Sequence, residues 1–220
     1  MTRTTASRIR VGDAWLEGDL ALPPHAVSVV LFAHGSGSSR HSPRNRLVAG
    51  ALHRRGLATL LIDLLSSAEE VRDARTRELR FDIGLLAGRV TGALDWLAAE
   101  PETAAMPVGL FGASTGAAAA LVAAAAQADR VRAVVSRGGR PDLAGAALAR
   151  VSAPTLLLVG GRDVPVIELN EQARDAMPVR TELRIIPDAT HLFEEPGALD
   201  RVAQEAGDWF ATYLPRGTDR

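Results

Sequence analysis

The residues best suited to chemistry in this chain form the pentapeptide Gly112-Ala113-Ser114-Thr115-Gly116, a G-x-S-x-G pattern. It follows the apolar run Val108–Phe111 and precedes an alanine-rich stretch of high helix propensity. A serine hydroxyl is a poor nucleophile unless a sharp turn presents it close to a base. Such a turn needs residues without side chains two positions before and after the serine. The pattern therefore predicts a nucleophilic serine at a strand-to-helix turn.

Two more polar residues follow predicted strands later in the chain. Asp163 comes shortly after the apolar run Thr155–Gly160, and His191 comes shortly after the run Glu182–Ile186. Because the carboxyl ends of parallel strands meet at one edge of a sheet, we expect these side chains to lie near Ser114. The candidate nucleophile Ser114, the candidate acid Asp163 and the candidate base His191 thus occur in that order along the chain.

The elements that must position these residues alternate between strands and helices. The runs Arg8–Val11 and Ala14–Leu22, separated by Gly12-Asp13, predict an antiparallel hairpin. The apolar patterns then predict strands at 27–32, 57–64, 108–112, 131–136, 155–160 and 182–186, and helices at 44–55, 82–99, 115–128, 142–150, 166–176 and 197–214. The charged residues 66–80 predict a solvated loop or a short exposed helix. This alternation predicts an α/β fold with about eight strands, mostly parallel, and helices on both faces.

Composition narrows the classes of function. The chain has 220 residues, is 47% hydrophobic and has a net charge of -1, which predicts a single domain over residues 1–220. It has no cysteine, and all its basic residues are arginine, so thiol and Schiff-base lysine chemistry are excluded. Metal-binding patterns and membrane-length apolar runs are absent from the sequence. We expect a cytoplasmic protein, a monomer or homodimer, with no metal, cofactor, membrane or nucleic-acid partner.

Four motifs together make the chain resemble the α/β-hydrolases, and most closely the small, lidless group related to dienelactone hydrolase. They are the His34-Gly35 loop, the turn at Ser114, the run Gly160–Asp163 and the run Asp188–His191. The resemblance extends from the hairpin to the last helix and implies an α/β-hydrolase fold with a Ser-His-Asp triad. Some members place the acid after the sixth strand, so Asp142 remains an alternative to Asp163. Dienelactone hydrolases proper use a cysteine where this chain has Ser114.

The chemistry of acyl transfer also requires an oxyanion hole. We expect the backbone N–H of Thr115, directly after the nucleophile, to supply one donor. A second donor should come from the glycine-rich loop after the third strand, where Ser36 is the first candidate and Gly37 the alternative. His34, at the start of this loop, is expected to support the loop and not to carry a proton. Gly35 and Gly37 allow its backbone to approach the substrate.

The substrate is expected to be small. Only about 18 residues, Arg137 to Pro154, separate the sixth and seventh strands, which leaves no room for a large lid. Arginines on the predicted rims of the site offer pairing with a substrate carboxylate, and we expect Arg40 and Arg137 to take part in binding. The full set of such arginines is Arg40, Arg44, Arg77, Arg80, Arg137 and Arg140.

The predicted function is a serine hydrolase that cleaves small carboxylic esters or lactones through an acyl-enzyme. Two alternatives stay open. The same triad serves an acyltransferase or a perhydrolase, in which the acyl group passes to an acceptor other than water. The fold also occurs in ligand-binding proteins without catalysis, although a pure binder has no need of all three triad residues.

Overall fold

The computed structural model of this chain describes residues 1–214. Across these residues the chain forms eight strands that join in one sheet. They are β1 Arg3–Val11, β2 Ala14–Leu22, β3 Val29–Ala33, β4 Ala58–Ile62, β5 Val108–Ala113, β6 Val131–Arg137, β7 Thr155–Gly160 and β8 Thr181–Ile186. Their order in the sheet is β1-β2-β4-β3-β5-β6-β7-β8. The pairs β1/β2 and β2/β4 are antiparallel and the other pairs are parallel, which confirms the predicted sheet and its N-terminal hairpin.

The order of the strands creates a switch point at β3. The chain passes from β3 to β4 on one side and later returns to β5 on the other side of β3. The parallel register aligns Ala33 with Gly112, Ala113 with Arg137, and Gly160 with Ile186. The carboxyl ends of these strands therefore lie level, and open parallel sheets bind their ligands at such an edge.

Helices cover both faces of the sheet, as predicted. They are α1 Pro43–Arg54, α2 Ser67–Thr76, α3 Ile83–Ala99, α4 Thr115–Ala126, α5 Val164–Ala176 and α6 Ala198–Tyr213, with 3₁₀ segments at Leu79–Phe81 and Pro141–Arg150. Helices α1 and α6 contact each other and share one apolar cluster with the sheet. Helices α3 and α4 contact each other within a second cluster on the opposite face.

The sheet interior explains the continuous apolar runs in the sequence. Every residue of β3, β4, β5 and β7 is buried, as expected for strands that are covered on both faces. Helix α4 packs closely on β5, and Gly112 permits this approach: a Cβ atom at Gly112 would come within 2.4 Å of Ala117 Cα. This close contact brings the start of α4 up to the carboxyl end of β5.

Several predicted strands and helices differ from the observed ones by one or two residues at their ends, and the first strand differs by more. The first strand begins at Arg3 instead of Arg8, because β1 pairs with the whole length of β2, from Arg3 opposite Leu22 to Val11 opposite Ala14. Residues 66–80 hold helix α2, so the short exposed helix was the correct one of the two alternatives. Ser66 and Glu69 form a capping box that begins this helix.

The segment between β6 and β7 was predicted as a helix over 142–150 and is instead 3₁₀ in character. Gly145 interrupts it with φ 52° and ψ −132°, which glycine adopts without strain. This segment, Pro141–Arg150, is the only helical insertion between the two strands, so the fold has no large lid there. Within residues 1–214, none of the helices combines the length and the apolar character that a membrane span requires.

Candidate active site

Ser114 lies at a strained turn between β5 and α4. Its backbone has φ 50° and ψ −123°, a combination that residues with a side chain rarely adopt. A Cβ atom at Gly112 would lie 2.4 Å from Ala117 Cα, and one at Gly116 would lie 2.3 Å from the carbonyl oxygen of Ala33. Both positions therefore accept only glycine, and the G-x-S-x-G pattern follows from this packing.

The hydroxyl of Ser114 is not used to cap the helix behind it. Ser114 occupies the N-cap position of α4, yet its side chain makes no capping hydrogen bond. Its backbone N–H donates to the carbonyl of Arg137 at 3.3 Å, and its carbonyl accepts from the N–H of Arg140 at 3.1 Å. The backbone of the turn is thus tied to the loop after β6, while the side chain stays partly exposed.

Asp163 and His191 lie in direct contact at the same edge of the sheet. Asp163 Oδ2 is 2.6 Å from His191 Nδ1. Asp163 is the residue just before α5, and His191 follows β8. A proton on Nδ1 that is donated to this carboxylate leaves Nε2 free to accept a proton. The His191 side chain is 40% exposed and that of Asp163 is 15% exposed, so the pair faces solvent through the imidazole.

Backbone contacts hold the loops of Asp163 and His191 together. The N–H of Gly161 donates to the carbonyl of Ile186 at 2.8 Å, and that of Arg162 donates to the carbonyl of Ala189 at 2.9 Å. A Cβ atom at Gly160 would lie 2.4 Å from the Ala189 carbonyl oxygen. The close approach of the two loops therefore requires glycine at this position.

Ser114 and His191 both border the peptide that joins Arg137 to Gly138. The carbonyl of Arg137 accepts the hydrogen bond from the backbone N–H of Ser114. A Cβ atom at Gly138 would lie 3.1 Å from the carbonyl oxygen of His191 and 3.6 Å from its ring carbon Cε1. The turn that contains Ser114 and the loop that contains His191 therefore both pack against the end of β6.

Asp142, the alternative acid, has a different partner. Its two carboxylate oxygens accept hydrogen bonds from Arg140 Nε at 2.9 Å and from Arg140 Nη2 at 2.8 Å. This fork-like pairing occupies the carboxylate and raises the pKa of the Arg140 guanidinium. The geometry favours Asp163 as the partner of the histidine.

The loop after β3 lies directly against the serine. A Cβ atom at Gly35 would come within 2.9 Å of Ser114 Cβ, and Gly37 has φ 68°, a left-handed conformation that favours glycine. The N–H of Ser38 donates to the carbonyl of Gly35 at 3.2 Å, which closes a turn around the exposed Ser36. Across from it, Thr115 is the first residue of α4, so its N–H has no acceptor within the helix.

His34 is a fixed, neutral support for this loop. Its Nδ1 is 2.8 Å from the carbonyl oxygen of Gly35, and its Nε2 is 3.0 Å from the backbone nitrogen of Leu64. The carbonyl only accepts and the N–H only donates, so Nδ1 carries the proton and Nε2 accepts. Burial lowers the pKa of His34 below its ordinary value, which keeps the imidazole neutral, and the two hydrogen bonds select this tautomer.

A cavity of about 550 Å³ opens beside the serine turn. The loop after β3, the N-terminus of α1 and helix α2 form its walls, and Thr115 borders it. Leu64, Leu65 and Leu86 supply apolar surface, whereas Glu70 and Arg80 supply charged surface. The sequence placed Arg77 and Arg80 on a predicted rim of the site, but it did not show that α2 forms a wall of the cavity.

The two arginines predicted to bind substrate occupy different environments. Arg40 forms ion pairs with Asp63 and, at 3.7 Å, with Asp19, and its backbone N–H donates to Asp63 at 2.7 Å. Its charge is therefore already matched by two carboxylates. Arg137 is buried and lies near Arg44 of α1, with no carboxylate partner among residues 1–214. No cluster of three or more His, Cys, Asp or Glu side chains within this range is arranged to hold a metal ion.

The geometry agrees with what the chain is similar to. The family model described as "Alpha/beta hydrolase domain" matches residues 26–211, and the chain belongs to this family. A crystal structure of a dienelactone hydrolase from Anabaena variabilis ATCC 29413 is 60% identical in sequence and has a TM-score of 0.96. The match covers 97% of this chain and 99% of that chain. The fold is thus an α/β-hydrolase fold related to that of dienelactone hydrolases.

Two further comparisons define the limits of the similarity. Est1E from Butyrivibrio proteoclasticus shares the fold with a TM-score of 0.78, at 16% identity over 94% of this chain and 98% of that chain. A protein of Mycobacterium tuberculosis (strain ATCC 25618 / H37Rv), whose name proposes a phosphoribosyl transferase, is 56% identical over 207 residues. The match covers 94% of this chain and 46% of that protein, so the chain spans about half the length of this relative.

Proposed function

We propose that this protein is a serine hydrolase that cleaves small carboxylic esters or lactones through an acyl-enzyme. The observation that carries the proposal is the 2.6 Å contact of Asp163 Oδ2 with His191 Nδ1, at the sheet edge where the strained turn presents Ser114. Membership of the α/β hydrolase family and the similarity to a dienelactone hydrolase support it. Ser114 is assigned as the nucleophile, His191 as the general base and Asp163 as the residue that orients the base.

In the first half-reaction, the oxygen of Ser114 attacks the carbonyl carbon of the ester. Its proton passes to His191 Nε2, while Nδ1 keeps its hydrogen bond to Asp163 and the carboxylate stabilises the imidazolium. The carbonyl oxygen becomes negatively charged, and the N–H groups of Thr115 and Ser36 are assigned to stabilise it. The carbon–oxygen bond to the alcohol then breaks, and the departing oxygen takes the proton from His191.

In the second half-reaction, water replaces the alcohol. His191 Nε2 accepts a proton from the water as its oxygen attacks the acyl carbon, and the same oxyanion hole receives the negative charge. The bond to the Ser114 oxygen then breaks, and His191 returns the proton to the serine. The acid leaves and the enzyme regains its starting state. With a lactone, the alcohol and the acid are two ends of one product.

The size of the cavity favours small substrates. Its volume of about 550 Å³ lies in the range of about 300–1,000 Å³ that is typical of small-molecule sites. The 3₁₀ segment Pro141–Arg150 has only 10 residues, too few for a large cap, so we expect little apolar cover for long acyl chains. Short acyl groups or a lactone ring suit this space.

The phosphoribosyl transferase in the name of the mycobacterial relative has no counterpart in the activity proposed for this chain. The chain corresponds to less than half of that protein, and a transferase activity can belong to the half without a counterpart here. The chain supplies a serine, a histidine and an acid of the types that acyl transfer uses, with the acid and the histidine in contact. These three residues support a hydrolase in preference to a phosphoribosyl transferase.

The proposal is tested with initial rates on p-nitrophenyl acetate, butyrate and octanoate for the intact protein and for Ser114→Ala. Loss of the nucleophile should lower kcat/KM by at least about 10³-fold on the preferred ester, since only the oxyanion hole and binding remain. The short esters should be hydrolysed fastest. Addition of methanol or hydrogen peroxide as a competing acceptor separates hydrolysis from acyl transfer and perhydrolysis. Equal rates in both proteins would rule out Ser114 as the nucleophile.

A further inference from the structure

The last strand of the sheet, β8, has a free edge. It is the outermost strand in the order of the sheet, and among residues 1–214 it pairs only with β7. On the β7 side, the carbonyl of Arg180 accepts from the N–H of Thr155 at 3.0 Å, and that of Ile186 accepts from the N–H of Gly161 at 2.8 Å. Backbone polar groups alternate in direction along a strand, so the odd-numbered residues of β8 turn theirs to the free side. Such an edge is a template for a further strand.

The charges of β8 complement a second copy of the same strand. Arg184 contacts Glu205 of α6, so the even-numbered side chains lie on the α6 side of the sheet, where Glu182 pairs with Arg180 at 2.7 Å. Hydrogen bonds from Arg184 and Arg180 lower the pKa of Glu182, so its carboxylate stays charged. If two β8 strands pair in antiparallel fashion about Leu183, Glu182 of each copy lies opposite Arg184 of the other.

Backbone geometry and charge select the same register for this pairing. In a two-fold antiparallel ladder, the residues whose polar groups point outward must lie opposite each other, so the axis passes through a residue of β8. An axis at Glu182 sets two carboxylates opposite each other, and an axis at Arg184 does the same with two guanidinium groups; both are unfavourable. An axis at Leu183 gives two pairs of opposite charge, and Thr181 then faces Ile185 of the other copy.

The α5 side of the paired strands is apolar. Leu183 packs against the apolar cluster that includes residues of α5, so the odd-numbered side chains lie on that side. Ile185 is 40% exposed, and pairing about Leu183 places it beside Thr181 of the second copy, which covers part of its surface. The opposite edge of the sheet offers no such match with itself, because β1 carries three arginines and no acidic residue.

We propose that two copies of this chain associate through their β8 edges into a dimer with one continuous sheet. The N–H and C=O groups of Leu183 bond to those of Leu183 in the second copy, and Thr181 bonds to Ile185 at both ends of the ladder. Two pairs of Glu182 with Arg184 on the α6 side fix the register. The dimer does not depend on the hydrolase activity proposed above.

The mass in solution and its dependence on charge test the dimer. Light scattering after size exclusion, over about a hundredfold range of concentration, should show a species at twice the 23.2 kDa of one chain. Glu182→Arg places an arginine opposite Arg184 at two points of the ladder and should raise the Kd of the dimer about tenfold or more. Glu17→Arg makes the same charge change on β2, near the opposite edge of the sheet, and should leave the Kd unchanged.

Single cysteines test the register, since the chain has none of its own. Leu183 lies opposite itself with Cα atoms about 5.5 Å apart, so Leu183→Cys should form a disulfide between two copies under mild oxidation. Ile185 and its counterpart are offset by four residues along the ladder, about 14 Å, which is too far for a disulfide. Ile185→Cys should therefore cross-link about tenfold more slowly or less, although its position is the more exposed one.

The outcomes distinguish this dimer from other forms of association. Random collision between monomers would cross-link Ile185→Cys faster than Leu183→Cys, and this result would overturn the proposal, as would the absence of a disulfide in Leu183→Cys. The mass of a monomer at every concentration would also overturn it. If Glu182→Arg dimerised as tightly as the intact protein, another surface would be responsible and the β8 edge would be wrong. None of these results bears on ester hydrolysis through Ser114.

Discussion

Asp163 and Asp142 both follow strands that end at the site, yet their carboxylates have different partners. Asp163 contacts the imidazole of His191, whereas Asp142 is held by the two nitrogens of Arg140. Sequence position alone left both residues open as the acid of the triad. The choice depends on where the side chains point at the end of each loop, and spacing along the chain does not determine that.

This difference between the two acids gives a matched pair of variants. Asp163→Asn should lower kcat on a short p-nitrophenyl ester by about 10³- to 10⁴-fold, because the amide no longer holds the imidazole in the tautomer with a free Nε2. Asp142→Asn removes a partly exposed ion pair and should change kcat by less than about threefold. Steady-state rates for both variants measure this. A larger loss in Asp142→Asn than in Asp163→Asn would reverse the assignment.

At the scale of a residue, the burial of Arg137 could not be predicted from the sequence. The sequence placed it after a strand, among several arginines on the expected rim of the site. Its burial results from packing against Asn45 and Phe193, which lie far from it along the chain on α1 and in the loop after His191. Its position in the sequence therefore could not separate it from Arg40, which two carboxylates neutralise.

At the scale of elements, the site depends on how closely the loops after β7 and β8 approach each other. A Cβ atom at Gly160 would lie 2.4 Å from the carbonyl oxygen of Ala189 and 2.6 Å from that of Thr190. At the neighbouring Gly161, the nearest atom would be the Ile186 carbonyl oxygen at 3.3 Å. The two glycines therefore differ in how much a methyl group would move the histidine loop.

Gly160→Ala should push the two loops apart and weaken the contact of Asp163 with His191. Because a displacement of about 1 Å in a catalytic group costs about 10²-fold in rate, kcat should fall by that order, and Tm should fall with it. Gly161→Ala is the control and should lose less than about tenfold in rate. Thermal unfolding and ester hydrolysis measure both effects. Equal losses in the two variants would contradict the role given to the close approach at Gly160.

Most elements could be predicted because their signals are local. The apolar runs of β3 to β7 and the glycines of the serine turn reflect burial and sterics within a few residues. Helix α2 was only one of two possibilities for residues 66–80, because charged residues suit an exposed helix and a loop equally well. The pattern Ser66-x-x-Glu69, which forms a capping box in the structure, is a local signal that could have distinguished the helix from the loop.

At the scale of the whole molecule, the sheet brings together residues that are far apart in the sequence. Asp163 and His191 are in contact, and Ser114 lies at the same edge of the sheet, because β5, β7 and β8 end level there. Alternation of strands and helices predicted that edge, but the order β2-β4-β3-β5 depends on how the helices cover the faces. The positions of the triad candidates were therefore predictable, whereas the walls of the cavity, formed by α1, α2 and the loop after β3, were not.

The central claim is that one serine of this chain is the nucleophile, and covalent labelling tests it most directly. A fluorophosphonate should transfer its phosphorus group to the Ser114 oxygen with loss of fluoride, since the turn and His191 activate that hydroxyl. We expect one adduct per chain in the intact mass, located by peptide mapping on the peptide that contains Ser114. Ser114→Ala should show no adduct. Labelling of another residue while Ser114 stays unmodified, equal labelling of Ser114→Ala, or no labelling of the intact protein would contradict the account.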